Sequence, residues 1–90
     1  MLRLVAIDLS NADIPAFEAY EEKVLALVPE HGGRLEMRVR SVDGRTETHL
    51  LYFPDEQAFD RYRSDPRRIA LAPAWERCGA RADVTSVERT

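Results

Sequence analysis

The sequence predicts an α+β domain with the element order β-α-β-β-α-β. This is a ferredoxin-like sandwich, a four-stranded antiparallel sheet with both helices on one face. Three observations predict it. His49-Leu50-Leu51-Tyr52-Phe53 is strand-like and runs into Pro54-Asp55, a strand stop and helix cap, after which Ala58, Phe59 and Tyr62 recur at helical spacing. Asp43-Gly44 separates two alternating runs, a strong hairpin signal because glycine accepts the positive φ of a tight turn. Phe17, Tyr20, Val24 and Leu27 are spaced as the apolar stripe of one amphipathic helix.

In chain order, Leu2 to Leu9 is the first strand. Leu2, Leu4 and Ala6 lie on one face and Val5, Ile7 and Leu9 on the other, so both faces should be covered. Ser10-Asn11-Ala12-Asp13 supplies cap chemistry, and Pro15 suits a first helical turn. Pro29 and Gly32-Gly33 close that helix, with Glu18, Glu21, Glu22 and Lys23 expected on its solvated side.

Arg34 to Val42 alternates between Leu35, Met37 and Val39 on one face and Arg34, Glu36, Arg38 and Arg40 on the other. With Asp43-Gly44 as a two-residue loop, the register to the strand Arg45 to Phe53 is fixed. Arg40 faces Glu47, Arg38 faces His49, and Glu36 faces Leu51. On the other side Val39 faces Thr48, Met37 faces Leu50, and Leu35 faces Tyr52. Leu50 and Tyr52 are then expected under the helices, while His49, Leu51 and Phe53 point to the helix-free face.

Asp55 should cap the second helix. Ser64-Asp65-Pro66 restarts it, with Pro73 kinking the segment near Ala72 and Gly79 ending it. Ala80 to Arg89 is a more polar last strand, suited to an edge. In this topology the first and third strands are central, and those are the two most apolar candidates.

Ninety residues make one domain, expected to span 1–90, with a small core. Cys78 is the only cysteine, so no disulfide can form within the chain. His31 and His49 are the only histidines, and no zinc-type spacing is present. No metal or cofactor is expected. Thirteen basic residues stand against 16 acidic ones, which argues against general nucleic-acid binding. Lys23 is the only lysine, and the arginines are scattered. No apolar run reaches the ~20 residues of a membrane helix, and the start is too briefly apolar for a signal peptide, so a cytoplasmic location is expected. With both helices on one side, the opposite sheet face keeps apolar groups in need of cover. A homodimer through that face is therefore expected.

Tyr52-Phe53-Pro54-Asp55, followed by Ala58-Phe59, Tyr62 and Ser64-Asp65-Pro66, resembles small dimeric α+β barrel proteins. It is most similar to an uncharacterised bacterial group related to antibiotic-biosynthesis-monooxygenase-like proteins. Asp55 stands where that group commonly has Ser. The resemblance implies a ferredoxin-like dimer. Its relatives include cofactor-free monooxygenases that oxidise aromatic polyketides, haem-handling enzymes, and proteins with no known activity.

Two constellations could carry chemistry. Glu36, Arg38, Arg40, Glu47 and His49 form a polar patch on the hairpin, readable as an acidic-ligand site in which Arg38 binds charge and His49 moves protons, or as a cross-strand ladder of ion pairs. Tyr20, Tyr52, Phe59, Tyr62 and Trp75 could line an aromatic-ligand pocket or simply fill the core. His31 reads as an exposed helix-end cap, and Cys78 as a buried thiol. The functional expectation is a small-molecule-binding or accessory protein. The alternative is a cofactor-free monooxygenase or isomerase acting on an aromatic or acidic metabolite.

Overall fold

The computed structural model describes residues 1–90. Strands β1 (Leu2–Asp8), β2 (Arg34–Arg40), β3 (Thr46–Tyr52) and β4 (Arg81–Val87) form one sheet, and the helices are α1 (Ile14–Leu25), α2 (Glu56–Arg63), α3 (Pro66–Ile69) and α4 (Ala72–Cys78). The strand order is β2-β3-β1-β4, with every neighbour antiparallel. β1 and β3 are central, as the apolar pattern predicts, and β2 and β4 are edges. No helix is long and apolar enough to cross a membrane.

The caps form as their chemistry dictates. The carboxylates of Asp13, Asp55 and Asp65 accept from the backbone N–H of Ala16, Ala58 and Arg67, satisfying donors that have no partner inside the helix. The expected single kinked segment after Asp65 is two short helices. Pro73 sits in the first turn of α4, where its missing N–H costs nothing, so it starts a helix rather than bending one. Gly79 ends α4 at φ 79°, where a Cβ would lie 2.6 Å from the Asn11 carbonyl oxygen.

The hairpin register holds near the turn but the turn itself differs. Ser41 and Thr46 close a four-residue loop: Ser41 N–H donates to the Thr46 carbonyl, Gly44 N–H donates to the Ser41 carbonyl, and Asp43 binds both Ser41 Oγ and the Arg45 N–H. Arg40 still pairs with Glu47, Arg38 with His49, Val39 with Thr48 and Met37 with Leu50. Beyond Met37 a β-bulge shifts the ladder by one residue, so Leu35 pairs with Leu51 and Arg34 with Tyr52. The expected Leu35–Tyr52 and Glu36–Leu51 pairs do not form.

The assignment of faces is the reverse of the expectation. Glu47, His49, Leu51 and Phe53 are buried beneath the helices, and Thr48, Leu50 and Tyr52 lie on the open face. Met37 and Val39 are 39% and 51% exposed there. Both central strands are apolar on both sides, so alternation alone does not choose the covered face. Phe53 decides it: fully buried, it packs on Phe59 and Tyr62 of α2 at ring distances of 5.4 and 5.3 Å. Since β-strand side chains alternate, placing Phe53 inward brings Leu51, His49 and Glu47 inward with it.

The core is divided. One cluster holds Leu27, Val28, Leu51, Phe53, Ala58, Phe59 and Tyr62. The other holds Ile7, Leu9, Phe17, Cys78 and Ala80. Val5 touches both. Cys78 is buried, its thiol donating to the Trp75 carbonyl.

Candidate functional site

Between the two clusters lies a cavity of about 380 Å³. Its floor is the sheet, through Val5, Ile7, His49 and Leu51, with Ala82 and Val84 from β4. Its roof is Tyr20, Glu21, Val24 and Leu25 of α1. Phe59, Tyr62 and Arg63 of α2, Arg68 and Ile69 of α3, and Ala72 and Trp75 of α4 complete it. Trp75 is set by stacking against Tyr20, at 5.1 Å between ring centroids.

A row of ionisable groups runs into this cavity from the β2 side. His49 Nε2 lies 2.6 Å from Glu47 Oε2, and His49 Nδ1 lies 3.6 Å from Glu21 Oε2. Glu47 is also bound by Arg38 Nε at 3.2 Å and Arg40 Nε at 2.9 Å. Glu21, Glu47 and His49 are each at most 5% exposed.

The charge states follow from this geometry. Burial works to raise Glu47, but the hydrogen bonds from His49 and Arg40 and the nearby Arg38 outweigh it and leave its pKa below the ordinary value. Glu47 is therefore a carboxylate that can only accept, which places the ring proton of His49 on Nε2 and leaves the Nδ1 lone pair facing Glu21. Burial lowers the His49 pKa, against the pull of Glu47, and keeps the ring neutral. Glu21 is pushed up to about 7, first by burial, with Glu47 adding repulsion and Arg38 and Arg68 opposing. Burial also raises Tyr20 and Tyr62, so both keep their hydroxyl protons. A neutral histidine between an ionised and a half-protonated carboxyl can pass a proton.

Glu21, Glu47 and His49 also bring one ligand atom each within 4.8 Å of one another. The two histidine nitrogens serve different carboxylates, and Arg38 and Arg40 already balance Glu47. This donor set suits proton transfer better than a cation.

The expected site residues separate. His49, Tyr20 and Trp75 line the cavity. Arg38 stands behind them on Glu47, part of the ladder of cross-strand ion pairs. Tyr52 lies on the open face under the Arg34 guanidinium, 4.2 Å from its ring centre. The bulge takes Glu36 away from Arg38 and His49 and pairs it with Arg34 at 3.1 Å. His31 is not an exposed cap: it is partly buried and 2.9 Å from Asp65 Oδ2. Glu21, expected in solvent, is among the most buried residues. Its spacing, four residues after Phe17 and three before Val24, places it on the apolar stripe, and that was the available signal. Arg68 carried no such signal.

No family model and no curated protein matches the chain. Solved structures do. SnoaB from Streptomyces nogalater, a cofactor-independent oxygenase, superposes with a TM-score of 0.75 at 16% identity, covering 99% of this chain and 94% of that one. The Agrobacterium tumefaciens protein Atu4242, of the NIPSNAP family and of unknown function, gives 0.68 at 21% identity over 99% of this chain and 89% of that one. A candidate antibiotic biosynthesis monooxygenase from Caulobacter crescentus gives 0.69 at 19% identity over 97% and 90%. The chain shares their fold. It is a ferredoxin-like α+β fold, a four-stranded antiparallel sheet with its helices on one face.

Proposed function

We propose that this chain is a small-molecule-binding protein of the dimeric α+β barrel type, with its ligand in the cavity between the two core clusters. The cavity carries the reading. Its volume of about 380 Å³ falls within the roughly 300–1,000 Å³ usual for ligand pockets, and its lining is mainly apolar with a few convergent polar groups. Aromatic walls from Tyr20, Phe59, Tyr62 and Trp75 favour a flat, apolar ligand body.

The Glu21–His49–Glu47 row favours a second reading, an enzyme that removes a proton from that ligand without a cofactor. Glu21 reaches the cavity and would act as the base, with His49 accepting the proton at Nδ1 while Glu47 holds the ring. An isomerase returns the proton to another atom of the same molecule. A monooxygenase uses dioxygen: the deprotonated carbon is oxidised from CH2 to C=O, one oxygen atom enters the product, and the other leaves with two protons as water. The fold shared with SnoaB supports the oxygenase form.

The open face, with Leu4, Met37, Val39, Leu50 and Tyr52, supports a homodimer through the sheet. The unpaired, buried Cys78 supports a reducing, cytoplasmic setting.

Anthrone, an aromatic CH2 ketone, tests the catalytic reading. Formation of anthraquinone with matching oxygen uptake is expected from the wild type and lost in Glu21→Gln. Equal rates in both proteins contradict it.

A further inference from the structure

Arg68 is unlike the arginines around it. Its neighbour Arg67 is spent: it holds Asp65 Oδ2 at 2.8 Å and Glu30 at 3.0 Å. Asp65 also caps α3 and binds His31, so this cluster fixes the short helix over the cavity. The next residue turns the other way. The Arg68 guanidinium stands 5.0 Å from the Tyr62 ring centre and lines the cavity, and its charge is felt by Tyr20, Tyr62 and Glu21. No carboxylate pairs with it, and its Nε is shut off from water with no hydrogen-bond partner. The residue as a whole is partly buried, and a buried donor left unmatched is costly.

We propose that the cavity takes an anionic ligand, an aromatic or alicyclic carboxylate, whose charged end binds Arg68 while its ring lies against Trp75 and Tyr20. This rests on the cavity being the ligand site. The charge inventory agrees. Arg63, exposed to solvent at the cavity rim, also has no carboxylate partner and leans on Phe59 at 5.6 Å. The one carboxyl in the lining is Glu21, which burial moves toward its neutral form. Arg68 inside, Arg63 at the rim and apolar walls suit a molecule with one anionic end. A planar guanidinium edge matches a carboxylate, whereas a phosphate dianion would bring a second charge toward Glu21.

The test is calorimetric titration with two probes of similar shape, 1-naphthoate and neutral 1-naphthalenemethanol. The wild type is expected to prefer naphthoate. Arg68→Met keeps the stem over Tyr62 and is expected to weaken naphthoate about tenfold or more, with the alcohol little changed, since a charge-assisted hydrogen bond is lost. Arg68→Lys should recover part of the affinity. Unchanged binding of the alcohol shows that the variant is folded. A wild type that prefers the alcohol, or an Arg68→Met protein that binds naphthoate as well as wild type, overturns the anion role while leaving the cavity reading intact. Loss of both probes equally in Arg68→Met also overturns it. A wild type that binds neither probe overturns both readings.

Discussion

His49 Nδ1 faces Glu21 Oε2 across 3.6 Å, and this contact joins the sheet to α1 inside the core. It brings a strand residue and a helix residue together at the wall of a cavity. It also couples the stability of the fold to protonation, because Glu21 is held near a pKa of 7 by burial.

The sign of that coupling is definite. The folded pKa of Glu21 lies above its ordinary 4.5, so its stabilising contribution is full below pH 4.5 and lost as the pH rises through 7. His49 works oppositely: its lowered folded pKa gives stability present above 6.5 and lost as the pH falls. Comparing wild type with Glu21→Gln isolates the first effect. The variant is expected to gain relative stability as the pH rises from 4.5 to 8, by up to about 3 kcal/mol. Urea unfolding at four pH values in that range measures it, and a pH-independent difference contradicts it.

Glu47 serves three donors at once: His49, Arg38 and Arg40. Glu47→Ala leaves His49 buried with an unmatched N–H, while the half-exposed arginines can turn to water. A loss of about 2 kcal/mol is expected, with Glu47→Gln losing less. Urea unfolding at pH 7 checks both; an alanine variant as stable as wild type would show that the row is not held by Glu47.

Phe53 and Ile69 separate core from cavity mouth. Phe53 is fully buried and Ile69 is 58% exposed. Phe53→Ala is expected to cost about 3–5 kcal/mol, and Ile69→Ala within about 0.5 kcal/mol. Thermal or urea unfolding of the two variants compares them. Similar losses would contradict this division.

Met37 and Leu50 pair on the open face of the sheet. The wild type is expected to sediment as a dimer at micromolar concentration, and the double variant Met37→Glu, Leu50→Glu as a monomer, because a carboxylate on each residue cannot be buried unpaired. A wild-type monomer, or a dimer that survives both changes, removes the sheet face as the interface.

What the sequence made legible was local. Asp55, Asp65 and Asp13 cap helices because their chemistry acts over three residues. Asp43-Gly44 centres the hairpin so strongly that the register from Met37 to Arg40 holds although Ser41–Thr46 closes a longer loop. The choice of covered face was not local. Leu2, Leu4 and Ala6 are as apolar as Val5, Ile7 and Leu9, and only packing of Phe53 on α2 breaks the tie. The bulge at Glu36 was equally silent and removed Glu36 from the site, while Tyr52 left it with the choice of face. Glu21 could be found from its place on the apolar stripe of α1. Arg68 could not, because its direction depends on how Asp65, His31 and Arg67 fix α3.

Trp75 is the only tryptophan and lines the cavity, so its indole N–H gives one NMR signal that reports on it. Titration with 1-naphthalenemethanol is expected to shift that signal saturably, together with Tyr20, Tyr62 and Ile69, while Leu4, Met37 and Leu50 on the open face stay unchanged. Shifts confined to the open face, or none at Trp75, would contradict a ligand site beneath the helices.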